Sequence, residues 1–133
     1  MRRAFLAAPL LLIAGCSLLP IGPRDVPGTY VMNRGHAADT LFVLPGGRYR
    51  HVYAMPGQPV VIESGAWTAD RSRRTTVITF ESLWPRWRTE TETSSLSRSP
   101  LAPANLRAEA MRTFSGRIKW WVDEDLDWAY VRR

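Results

Sequence analysis

From Gly28 onward, runs rich in Val, Ile, Thr and aromatic residues alternate with Gly, Pro, Asn and Asp punctuation at intervals of about ten residues, the signature of small antiparallel all-β domains. Thr29-Tyr30-Val31-Met32 closes at Asn33-Arg34-Gly35, and Thr40-Leu41-Phe42-Val43-Leu44 meets Pro45-Gly46-Gly47 before Arg48 to Tyr53. Strands this short cannot bury both faces alone, so the pattern predicts an antiparallel meander over residues 28–133, either a curled sheet or a short barrel of about seven or eight strands. A chain of 133 residues with 23% charged residues suits a single domain, and one cysteine excludes an internal disulfide framework.

The turns predict registers. A two-residue turn at Gly46-Gly47 would set Leu44 opposite Tyr49, Phe42 opposite His51 and Thr40 opposite Tyr53, giving one aromatic face. A loop at Asp123-Glu124-Asp125 would set Val122 opposite Leu126, Trp120 opposite Trp128 and Ile118 opposite Tyr130. Gly65, inside the run from Val60 to Thr68, predicts a bulge or bend. Residues 106–114 fit both helical and strand spacing, and are read as extended. The long, irregular connection near 83–106 has a length that in compact domains marks either a functional or a disordered segment.

The N-terminus carries an address. Arg2-Arg3, the apolar stretch Ala4 to Ala14 and Gly15-Cys16 form a charged region, a hydrophobic region and a small-residue cleavage site. As a helix the apolar stretch would span about 16 Å, short of the ~30 Å hydrocarbon core. Ile13-Ala14-Gly15-Cys16 resembles a bacterial lipobox. The resemblance implies removal of a signal peptide, residues 1–15, and diacylglycerol on Cys16, whose acyl chains would anchor the protein to a membrane without spanning it. Ser17, standing where an aspartate would resemble an inner-membrane retention signal, implies the periplasmic face of the outer membrane. Residues 16–27, rich in proline, read as a lipidated tether. The chain carries +6 formal charge, and loss of Arg2 and Arg3 with the leader would leave a positive excess.

Gly28-Thr29-Tyr30, the Leu41-to-Tyr49 hairpin, Ser64-Gly65-Ala66-Trp67 and Gly116-Arg117-Ile118 running on to Tyr130 resemble a group of uncharacterised bacterial envelope proteins and, more distantly, lipocalin-like meanders. That resemblance implies a fold and transfers no catalytic residue.

Site chemistry is sparse. With His36 and His51 the only histidines and Cys16 expected to be lipidated, ligands for a metal run short, and no cofactor is expected. Asp123, Asp125 and Asp127 lack the glycine and glutamate of a calcium loop, and no nucleophile elbow, His-Glu-x-x-His pair or phosphate loop is present. A non-enzymatic module is therefore expected, with an enzyme acting on cell wall or lipid as the third reading. Trp84, Arg86, Trp87 and Trp121 are the candidate residues for a partner, such as an envelope protein, polymer or lipid headgroup. Phe42, Tyr49, His51, Trp120 and Trp128 are the candidate lining for a small apolar ligand carried inside the sheet. The expected compartment excludes nucleic acid.

Overall fold

A computed structural model describes residues 20–35, 37–72, 75–83, 105–123 and 128–133. Eight strands follow one another: β1 (Gly28–Arg34), β2 (Ala37–Leu44), β3 (Arg48–Ala54), β4 (Val61–Ser72), β5 (Thr75–Phe80), β6 (Leu106–Arg112), β7 (Ile118–Asp123) and β8 (Trp128–Arg132). Each pairs antiparallel with the next, and β8 returns to β1 through Met32 opposite Tyr130 and Tyr30 opposite Arg132. The result is a closed up-and-down barrel, which leaves no strand edge exposed.

Alternation decides what lies inside. Leu41, Val43, Tyr49, Trp67, Ile78, Phe80, Ala108, Ala110, Ile118, Trp120 and Tyr130 form one buried cluster, whereas Arg48, Arg50, Asp70, Arg107 and Glu109 on the intervening positions are exposed. That polarity, apolar within and charged without, is the reverse of a channel-forming membrane barrel. Residues 106–112 are a strand, as the alternation of Leu106, Ala108 and Ala110 predicts.

Two hairpin registers are corrected, and of the two alternatives at Gly65 the bulge is absent. The first hairpin turns through three residues, Pro45 to Gly47, with Leu44 opposite Arg48, Val43 opposite Tyr49 and Leu41 opposite His51. Both glycines take positive φ, and the extra turn residue shifts the register by one, so Phe42 moves to the outer wall opposite Arg50. In the last hairpin a register shift between Trp121 and Asp123 sets Trp120 opposite Tyr130. That offset is two residues, so the inward face survives although the partners change. At Gly65 the β3–β4 ladder runs on without a bulge. A Cβ there would lie 2.6 Å from Cε1 of Tyr49, so the glycine leaves room for that ring.

The segment read as a tether belongs to the barrel from Ile21 onward. Ile21 and Val26 are buried, the Tyr30 hydroxyl donates to the Val26 carbonyl, and the Thr76 hydroxyl donates to the Ile21 carbonyl. With a short 3-10 turn at Pro23–Asp25, this segment closes the end of the barrel where β1 begins. Prolines suit the role, because a plug without ladder partners has few amide donors to satisfy.

Candidate functional site

Inside the opposite half, four polar side chains from four strands meet. His51 lies between two carboxylates: Nε2 is 2.8 Å from Asp39 Oδ1, and Nδ1 is 3.3 Å from Glu63 Oε2. The Tyr130 hydroxyl donates to the same Asp39 oxygen at 2.6 Å. Asp39 and His51 are each 2% exposed, and Tyr130 is fully buried. The ladder explains the meeting: His51 stands directly opposite Glu63 and Leu41, Asp39 follows two residues along β2, and Met32 pairs with both Asp39 and Tyr130.

Burial alone would pull the His51 pKa down. The hydrogen bond and charge of Asp39, followed by those of Glu63, outweigh it and hold the imidazole above its ordinary value. A doubly protonated ring donates to both carboxylates at once, which a neutral tautomer cannot do. The geometry, with a carboxylate at each ring nitrogen, thus favours the imidazolium.

Next to this cluster the lumen is aromatic. The Trp120 ring lies 3.8 Å from Tyr30, 5.9 Å from Phe80 and 6.0 Å from Tyr130, centroid to centroid. Tyr49 packs edge-on to Phe80 and donates to the Glu81 carbonyl at 2.8 Å, while burial pushes its hydroxyl pKa up to about 12. Trp120 Nε1 is buried and has no hydrogen-bond partner among the described residues. A barrel of eight strands is just wide enough for its own side chains to fill.

Of the candidate ligand lining, Tyr49, His51 and Trp120 come together inside the barrel, Trp128 is half-buried against the same core, and Phe42 does not join them. Among the partner candidates Trp121 is half-buried on the outer wall, with Lys119 Nζ 3.5 Å above its ring. It adjoins a shallow outer groove of about 530 Å³ lined by Val31, Asn33, Arg117, Lys119, Ala129 and Val131, together with the C-terminal arginines. Cys16, Trp84, Arg86 and Trp87 lie outside the described residues, as does His36.

Asp39, Glu63 and Tyr130 were missed as partners of His51. They stand twelve or more residues away on other strands, where no local pattern marks them as neighbours. Among the described residues no group of three or more His, Cys, Asp or Glu has the geometry to hold a metal ion. No protein-family model matches this chain, and neither does any curated protein or solved structure. Fold and site thus define a class, a small up-and-down barrel with a packed aromatic lumen and a buried histidine held between two acids.

Proposed function

We propose that the protein is a lipid-anchored envelope lipoprotein, attached through Cys16, that acts as a non-enzymatic binding or interaction module at the periplasmic face of the outer membrane. The observation that carries the binding part is the packed lumen. Residues suited to line a ligand cavity are instead spent on one another, with Trp120 against Tyr30 and His51 against two carboxylates, so recognition falls to the outside. Trp121 beneath Lys119 and the Trp84–Arg86–Trp87 stretch are the surfaces to which this reading assigns a partner. Carriage of a small apolar ligand is the second reading, favoured by the unpartnered Trp120 Nε1, a donor that a polar atom of a guest would satisfy.

Native mass spectrometry of the chain released from envelopes separates the two. Surface recognition predicts the mass of the processed, acylated chain alone, with crosslinks to an envelope component from the Trp84–Arg88 stretch that Trp87→Ala abolishes. Extra mass that disappears on denaturation would instead establish carriage. For the anchor, Cys16→Ser is expected to leave an unprocessed precursor without labelled fatty acid, and persistent labelling would refute Cys16 as the attachment site.

A further inference from the structure

The up-and-down order assigns every connection to one of two rims. The rim that the chain enters first gathers the segment before β1, the β2–β3, β4–β5 and β6–β7 turns, and the C-terminus. The far rim gathers the other four connections, including the long one between β5 and β6.

Among the described residues, exposed arginine gathers mostly on one side. Arg24, Arg48, Arg71, Arg117 and Arg133 stand exposed at the entering rim. Arg112 lies 3.9 Å from the Asp25 carboxylate, and Arg132 donates to the Asp25 carbonyl, so Asp25 is engaged within the rim, and Asp70 and Glu109, level with each other across Val77, are further described carboxylates on that side. Toward the far rim Glu81 and Arg107 are exposed, while Asp39 and Glu63 are turned inward onto His51.

The entering rim also presents an aromatic tip. In the β6–β7 turn the Gly116 amide donates to the Thr113 carbonyl, the Thr113 amide to the Arg117 carbonyl and the Arg117 amide to the Thr113 hydroxyl. This fixed turn holds Phe114 fully in solvent at 106% exposure, with Leu44 on the β2–β3 turn across the rim 45% exposed. Val60 and Ile62 are exposed toward the far rim, so apolar exposure alone does not choose a side. Arginine and chain attachment do. Cys16 stands four residues before Pro20, a reach of at most about 14 Å at full extension.

We infer that the entering rim rests on an anionic lipid surface. Phe114 sits in the interfacial layer, and Arg48 and Arg117 lie against lipid phosphates, so that the far rim is turned away from the membrane. The inference rests on Cys16 being the lipid attachment site.

The test uses the full acylated chain with Phe114→Cys or, at the far rim, Gln58→Cys, each carrying an environment-sensitive fluorophore. Both forms are reconstituted into phosphatidylcholine vesicles containing a nitroxide lipid quencher, with and without phosphatidylglycerol. The expected result is several-fold stronger quenching at position 114 than at 58, dependent on phosphatidylglycerol and reversed by high salt. Arg48→Glu combined with Arg117→Glu should weaken the phosphatidylglycerol-dependent association about fivefold per arginine while leaving the thermal midpoint unchanged. Equal quenching at the two positions, stronger quenching at 58, or quenching indifferent to phosphatidylglycerol would overturn the inference. A free Cys16 would announce itself by taking up a second equivalent of dye. That would refute the anchor separately, and pelleting the same chain with the two vesicle types would then read the rim alone, with equal pelleting counting against it.

Discussion

The two halves of the lumen are chemically opposite. Where the chain enters, Ile21, Val26 and Tyr30 close the barrel with apolar surface and hydrogen bonds to backbone carbonyls. In the other half, Asp39, His51, Glu63 and Tyr130 fill a similar space with charge. The first arrangement is indifferent to pH through the neutral range, because neither a valine nor a carbonyl titrates and burial pushes the Tyr30 hydroxyl pKa up. The second holds together only while the imidazolium keeps its proton, since removing it leaves two acids facing a ring that can donate to only one of them. A buried ion pair is weak support for stability as a whole but costly to break from one side. The same contrast extends to the outside, where arginine collects at the apolar, plugged end.

The largest expected effect comes from breaking the charged half. Asp39→Ala leaves Glu63 as the one carboxylate against His51 and removes the Asp39 acceptor of Tyr130, at a cost of about 3 to 5 kcal/mol in chemical denaturation. Val26→Ala in the plugged half is expected to cost about 2 kcal/mol, equally at every pH.

Packing between the halves sets the next effect. Gly65→Ala drives a Cβ into the Tyr49 ring, and a destabilisation of about 1 to 3 kcal/mol is expected, relieved when Tyr49→Leu is added. No rescue by the second change would mean that the glycine serves its backbone and not the ring. Tyr30→Phe, which deletes only the hydroxyl that donates to the Val26 carbonyl, is expected to cost about 1 kcal/mol.

The pH profile sharpens the comparison without a mutation. Because the folded His51 pKa is raised, its stabilisation is fully present below the unfolded value of about 6.5 and is lost as pH rises through the folded pKa. Denaturation midpoints should therefore be flat on the acid side of that value and fall above it. Asp39→Ala should flatten the decline and Val26→Ala should leave it intact. A wild-type midpoint that instead rises from pH 6.5 to 9 would mean that burial outweighs the carboxylates and that the ring is neutral.

Much of this architecture was legible. Punctuation at Pro45-Gly46-Gly47, alternation through β6 and the apolar inward positions of β7 and β8 all pointed to an antiparallel meander, because these signals act within a strand or a turn. The lumen was less legible. Tyr49, His51 and Trp120 could be named as inward residues, but Phe42 was placed with them through an error of one residue in a turn, and that single residue exchanges the two faces of a strand. The partners of His51 lay on other strands, and proline content disguised the plug as a tether.

What the chain determined by itself is therefore the set of strands and their turns, which follow from φ preferences and a period of two. Tertiary structure alone decided which residue stands opposite which, that β8 finds β1, that Ile21 and Val26 turn back into the barrel, and that one histidine sits between two acids. Those outcomes depend on register summed around a closed ring. Each ladder shifts the next, so no local window contains the information, and only closure settles it.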